Sequence, residues 1–350
     1  MPYSVSDFLQ KAQTLPVIDV RSPGEFGHAH IPGAVNIPLF DNDERARVGT
    51  RYKQAGKDLA VLMGLELVGP KLADFVKQSR KLTHATGGEV LVHCWRGGMR
   101  SGSFAWLLQT AGLTPTTLDG GYKAYRNAVL TGLAQPRNLL ILGGKTGSGK
   151  TAILHELANL GEQTIDLEGL AHHKGSSYGA IGQLPQPGSE QFENLIFREW
   201  SRADPTRRIW LEDESRNVGS CFIPMPFWSQ MRASPVAFVD MPKAVRVTRL
   251  VQEYTGIDHQ LLIEATRRIE KRLGGKVLND CIAALNANDY ATVADLTLDY
   301  YDRAYLHGLS QRRPETITKL DIADDNPAAT ARALVAWADG LPATTRRGIE

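Results

Sequence analysis

Residues 138–152 read Asn-Leu-Leu-Ile-Leu-Gly-Gly-Lys-Thr-Gly-Ser-Gly-Lys-Thr-Ala, an apolar run that breaks into glycines and then opens a helix-period segment. The pattern G-x-x-x-x-G-K-[ST] runs from Gly144 to Thr151, and Ile153, Leu157 and Leu160 follow on one helical face, with Gly161 as the stop. A strand, a glycine loop and a helix in that order make a phosphate cradle. Gly144, Gly147, Ser148 and Gly149 let backbone N–H groups approach phosphate oxygens, Lys150 neutralises charge, and Thr151 can hold Mg2+. A second metal partner is expected after the apolar stretch 209–211, where Glu212, Asp213 and Glu214 begin; Asp213 is the choice among them. Such a loop says what is bound, and leaves nucleotide hydrolysis, kinase chemistry and diphosphate displacement all open.

A second strand–loop–helix precedes it. The stretch 90–93 is apolar up to His93, Cys94 opens a loop with Arg96, Gly97, Gly98 and Arg100, and Phe104, Leu107, Leu108 and Ala111 then recur at helical spacing. A thiol at the mouth of such a loop faces backbone N–H groups and a helix N-terminus. Both favour the thiolate and so make a nucleophile. Free cysteines are more often inert core residues. Two glycines and two arginines are odd company for a packing residue, however, and Arg96 and Arg100 could fork onto an oxyanion. Cys221 and Cys281 lack such a setting and are read as structural.

Apolar runs alternate with helix-period segments over most of the 350 residues, which predicts an α/β protein with parallel sheets. Strands are expected at 16–20, 90–93 and 116–118, then at 139–142, 164–167, 209–211 and 236–239. A boundary is expected at the proline-bearing connector 133–137, giving domains of 1–134 and 138–350, the second with a helical part from about Met241. The segment 175–189 is read as a long functional loop, and the tail 342–350 as frayed. Charge names no partner, since 40 Lys and Arg face 38 Asp and Glu. Its division is uneven: the first 136 residues carry 15 basic and 11 acidic side chains, the remainder 25 and 27. A nucleic-acid surface must therefore come from clustering. Arg267, Arg268, Lys271 and Arg272 are expected within two turns of one helix, with Arg246, Arg249, Arg312 and Arg313 extending the patch. Tyr300, Tyr301 and Tyr305 offer stacking surfaces or pack that helix. Absence of a signal-like start, of a membrane-length apolar run and of paired cysteines points to a cytoplasmic chain without membrane contact.

Residues 16–38, with Asp19 and Arg21 in an Asp-x-Arg element, and the loop from Cys94 together closely resemble the rhodanese domain. In that domain one cysteine carries persulfides and the Asp-x-Arg element is architectural. His28, His30 and His93 are given structural roles. The C-x5-R spacing of Cys94 and Arg100 also resembles the related cysteine phosphatases, whose wider loop suits selenophosphate or another phosphorus oxyanion. Over nearly the whole chain, 94–101, 118–125, 144–151, 173–179, 186–193 and 212–219 resemble bacterial tRNA 2-selenouridine synthases. The resemblance implies a transferase that replaces sulfur by selenium in wobble 2-thiouridine of tRNA. Selenophosphate, drawn from a supplier, would be the donor, and an S-geranyl intermediate would be made from geranyl diphosphate. It implies that Cys94, Arg96 and Arg100 serve the selenium step and that the phosphate loop holds the prenyl diphosphate. The stretch 222–228 is a guess for the geranyl tail. The alternative is a rhodanese-type sulfur carrier fused to an ATP- or GTP-hydrolysing or kinase module.

Overall fold

The computed structural model describes residues 1–342, and its internal contacts divide the chain between Gly132 and Leu133 into two units. In the first, β1 (Val17–Asp19), β2 (Val35–Asn36), β3 (Glu89–His93) and β4 (Thr114–Thr117) form a wholly parallel sheet in the order β2-β1-β3-β4. The two central strands are apolar because helices cover both faces. Ile18, Val20, Val90 and Val92 meet Phe75, Phe104 and Leu108 in the core. The chain leaves β1 toward one edge and returns as β3 on its other side, so the C-terminal ends of β1 and β3 form the crevice where such sheets bind ligands.

The second unit carries β5 (Leu139–Gly144), β6 (Gln163–Ile165), β7 (Ile209–Glu212), β10 (Val236–Asp240) and β11 (Ile317–Asp321), parallel throughout and ordered β11-β10-β5-β7-β6. Between them lies a small antiparallel hairpin, β8 (Asn217–Val218) and β9 (Cys221–Phe222). Central β5 is buried along its length, and Leu140, Leu142, Leu154, Trp210, Val239 and Leu334 fill the space beneath its helices. A separate helical core gathers Tyr178, Tyr254, Leu262, Leu285 and Leu298.

The hairpin strands β8 and β9 escaped the reading of apolar runs, and so did two strands of the parallel sheets. β2 is two residues long, and β11 alternates because it is an edge: its Lys319 and Asp321 are exposed. The basic stretch is also not one helix. It breaks into His259–Arg267, Glu270–Leu273 and Gly275–Asn286, because Ile269 turns inward to be buried and Gly274 adopts φ of +85°. No described helix is long and apolar enough to cross a membrane.

Candidate functional sites

The cysteine loop is built from its back. The turn 118–122 lies against it, and the first N–H groups of the helix Gly121–Leu133 donate to loop carbonyls: Tyr122 to Cys94 at 2.8 Å and Lys123 to Trp95 at 2.9 Å. Contact is so close that only glycines fit. A Cβ at Gly97, where φ is +64°, would stand 2.5 Å from the Leu118 carbonyl oxygen; one at Gly121, where φ is +60°, would stand 2.5 Å from that of Cys94. This explains why a Gly-Gly-Tyr sequence some 25 residues downstream belongs to the site.

Cys94 is buried, with 2% of its surface exposed. Burial alone would push its thiol up. The Ser101 hydroxyl, 3.2 Å from Sγ, the backbone N–H groups of Arg96 and Ser101, and the Arg100 guanidinium outweigh that and hold it below the ordinary thiol range. Cys221 and Cys281 show the contrast: burial pushes each up to about 11, with Asp280 adding to the effect at Cys281. Ser101 was not singled out from sequence, although its place directly after Arg100 was available as a signal. Arg100 is steadied by Glu25 at 3.1 Å, which Arg45 also approaches at 3.5 Å, while Arg96 is exposed.

Beneath the loop, Arg21 and Asp19 form a buried pair at 2.6 Å, and the Arg21 guanidinium also donates to the Ala29 carbonyl and lies 3.8 Å over the Tyr122 ring. His93 is wholly buried beside them, 3.6 Å from Asp19, with neither ring nitrogen hydrogen-bonded. Burial, only partly offset by Asp19, lowers its pKa to about 4, so it is neutral at pH 7. His30 sits with Nδ1 against the Phe26 carbonyl and stacks on the Phe26 ring.

In the second unit the loop 144–149 joins β5 to the helix Lys150–Asn159. The buried Ser148 hydroxyl has no hydrogen-bond partner. Lys145 reaches Asp240 at 2.8 Å, and Arg246 donates to the Thr146 carbonyl at 3.1 Å. Around Lys150 stand Glu168, Glu214, Glu212 and Asp213; burial disfavours its charge, but these acids more than restore it and raise its pKa. Thr151 donates to Glu168 at 3.1 Å. Burial and neighbouring acids raise Glu212 and Glu214 well above the carboxylate range. Glu212 accepts the Leu167 N–H at 3.0 Å through one oxygen, and its other oxygen is unpartnered.

The remaining motif stretches close around this centre. Gln186 donates to the carbonyls of Ala171 and Val218 and accepts from Ser220, tying the loop 172–188 to the hairpin. Ser177 meets the Tyr301 hydroxyl, and the Tyr178 hydroxyl meets Thr266, fixing the same loop to the helical part.

Residues 2–128 match the rhodanese-like domain, and residues 137–264 match the family described as the tRNA 2-selenouridine synthase AAA domain. A tRNA 2-selenouridine synthase of Serratia proteamaculans (strain 568) is 42% identical over 248 residues, 69% of this chain and 65% of that protein. The chain is thus similar to the tRNA 2-selenouridine synthases. It spans just under two thirds of that relative's length. Among solved structures, the N-terminal domain of a Clostridium difficile 630 protein named for ATP/GTP binding is 41% identical. That likeness covers 37% of this chain and 99% of the domain, with a TM-score of 0.34. The full-length tRNA isopentenylpyrophosphate transferase of Bacillus halodurans is 12% identical, covering 59% of this chain and 96% of that one at a TM-score of 0.33.

Several residues chosen from the sequence stand elsewhere than expected. Asp213 does not bond Thr151: it holds Arg312 at 2.5 Å and accepts from the Tyr305 hydroxyl at 3.2 Å. Glu168 is the acid that Thr151 meets, and its place directly after Leu167 gave no sequence signal. Arg246 and Arg312 extend no surface patch, because both are buried in ion pairs with Asp302 and Asp213. Arg249 pairs with Asp325. Arg267, Arg268, Lys271 and Arg272 are all exposed; Arg267 ends one short helix, Arg268 lies in the turn after it, Lys271 and Arg272 lie on the next, and Arg272 donates to Tyr300. Tyr301 and Tyr305 spend their hydroxyls inside the fold. In 222–228, Phe222 and Met225 are exposed while Phe227 is wholly buried.

Among the described residues no three His, Cys, Asp or Glu side chains are grouped to hold a metal. Thr151 with Glu168 and Glu214 offers a smaller donor set. It suits Mg2+ only with phosphate oxygens completing the shell, and the ion would there neutralise phosphate charge against the carboxylates.

Proposed function

We propose that this protein replaces sulfur by selenium in the wobble 2-thiouridine of tRNA, as a two-site transferase. Geranyl diphosphate bound at 144–151 alkylates the 2-thio sulfur. The new bond joins geranyl C1 to sulfur, the C1–O bond to diphosphate breaks, and the base's N3 proton leaves. Lys150 stabilises the departing diphosphate. Selenium of selenophosphate then attacks C2 at the cysteine loop. The C2–S bond breaks and geranyl thiolate, a better leaving group than a thiocarbonyl sulfur, departs, while water cleaves the Se–P bond, releasing phosphate and supplying the proton that makes geranyl thiol. Arg96 and Arg100 receive the donor's phosphate oxygens. Arg267, Arg268, Lys271 and Arg272 supply contacts to the tRNA backbone.

The observation that carries the proposal is the pairing, in one chain, of a thiol held below its ordinary range with a phosphate loop whose lysine is kept charged by buried acids. The similarity to a named tRNA 2-selenouridine synthase supports the substrate class. A cavity of about 450 Å³ opens beside the phosphate loop, where the charged Lys145, Asp240, Lys243 and Arg246 line it together with the apolar Met241 and Ile322.

The test supplies geranyl diphosphate and selenophosphate, separately and together, to the full chain with 2-thiouridine tRNA, and reads digested nucleosides by mass spectrometry. S-geranyl-2-thiouridine with the first donor and 2-selenouridine with both are the expected products. Unchanged nucleosides, together with thermal stabilisation by ATP and Mg2+ but not by geranyl diphosphate, would establish a sulfur carrier fused to a nucleotide-driven module instead.

A further inference from the structure

Trp95 directly follows the buried thiol, yet it leaves 38% of its surface exposed, and Met99 across the loop leaves 56%. Thiol chemistry on a small selenium or sulfur donor has no need of an indole there. The side chain is nonetheless held in place. Its carbonyl accepts the Lys123 N–H, and its ring is tilted at 37° against Tyr122, 5.8 Å away between centroids. Tyr122 is in turn buried, with the Arg21 guanidinium 3.8 Å over its ring. One side of the indole is therefore braced by a rigid buried stack while the rest faces solvent. The charged neighbours decide what it fits. Arg96, next in the chain, and Lys123, whose N–H the Trp95 carbonyl accepts, are both exposed, and half-buried Arg100 lies on the same loop, so cations share this assembly with the aromatic surface. A neutral apolar segment matches only the ring, whereas a single-stranded nucleotide offers both a flat base and a phosphate.

We propose that Trp95 is the stacking platform for the wobble pyrimidine, receiving the unstacked 2-thiouridine ring (free or S-alkylated) at the mouth of the Cys94 loop while Arg96 and Lys123 meet the flanking phosphates. This deepens the function proposed above and rests on it. Trp95 selects a ring-bearing acceptor, and the thiol's own chemistry remains with Ser101, Arg100 and the loop amides.

A double-mutant cycle tests the contact without turnover. The full chain and its Trp95→Ala and Trp95→Phe variants are titrated with two anticodon stem-loop RNAs, one carrying 2-thiouridine at the wobble position and one abasic there. Trp95→Ala should weaken the first RNA on the order of tenfold and the second less than about twofold, and Trp95→Phe should restore most of the difference. The pH profile of Cys94 alkylation should be the same in all three proteins. If Trp95→Ala disturbs that profile, Trp95→Leu, which keeps bulk without a π face, takes its place. Equal weakening of both RNAs, or of neither, would overturn the proposal. So would an RNA affinity left intact while geranyl diphosphate binding falls, since the indole would then be a seat for the terpene. Failure of the wild-type chain to bind either RNA would instead refute the reading on which the inference stands, and the inference with it.

Discussion

The cysteine loop and the phosphate loop share a local plan and have opposite electrostatics. Each follows a buried parallel strand, turns through glycines and opens a helix. Around Cys94 the turn amides, Ser101 and Arg100 all favour negative charge. Around Lys150 four carboxyl groups favour positive charge, and two of them, Glu212 and Glu214, are pushed above the carboxylate range by burial and by neighbouring acids, Glu168 above all for Glu214 and Asp166 with Glu168 for Glu212. Backbone architecture thus makes an anion site possible in both places, while the side chains decide how an anion enters. One loop is charged and waiting. The other is already neutralised from within, so a diphosphate arriving there must exchange partners with Glu168 and Glu214 or bring a cation.

The largest effects should come from separating the loops chemically. Lys150→Ala is expected to slow S-geranylation by at least about 100-fold, and Cys94→Ser to abolish selenation of S-geranylated tRNA while leaving geranylation intact; nucleoside mass spectrometry reads both. Loss of both products in both variants would show one site where two are described.

Next in size is Gly121→Ala, which drives a methyl group into the Cys94 carbonyl and the Gly97 amide and should cost several kcal/mol, on the order of 3. Denaturant unfolding should register the loss, and Cys94 alkylation should lose its acid-shifted profile.

The two units should also differ in their response to pH. His93 is neutral in the fold and charged when unfolded below its ordinary 6.5, so its unit loses stability as pH falls from about 6.5 to about 4. His93→Phe should remove up to about 3 kcal/mol of that loss. Glu212 and Glu214 act in the opposite sense. Their folded pKa values lie above the unfolded ones, so the second unit loses stability as pH rises beyond the ordinary carboxylate range, and Glu214→Gln should flatten that decline. Thermal unfolding across pH, fitted separately for each unit, distinguishes the slopes. The smallest effect is expected from Arg100→Gln, which removes the weakest of the influences on the thiol and should move Cys94 alkylation to higher pH.

Much of this was legible in the sequence where chemistry is written locally. Strands β1, β3, β5, β7 and β10 are apolar because both faces are covered, and the two glycine loops announce themselves by spacing. What escaped was written across distance. Edge strand β11 carries no apolar run, since only one face is covered. Glu168 reaches Thr151 through the position of β6 in the sheet. Arg246 and Arg312 read as surface cations until Asp302 and Asp213 are seen folded against them. A run of basic residues likewise says nothing of Ile269, whose burial breaks the helix that would have aligned them.

The match to the AAA domain stops at residue 264, yet the phosphate loop leans on what lies beyond it. The helix Tyr290–Ser310 brings Asp302 to Arg246 and Tyr305 to Asp213, Arg312 follows directly, and β11 pairs along all five residues of β10. A fragment ended at the match boundary would strand two charges in the interior and open the flank of β10, leaving a bare row of backbone donors and acceptors for another copy to pair with. The stretch from 265 to 322 is therefore the seal of the second unit's sheet, and the shortest fragment that stays soluble should have to include it.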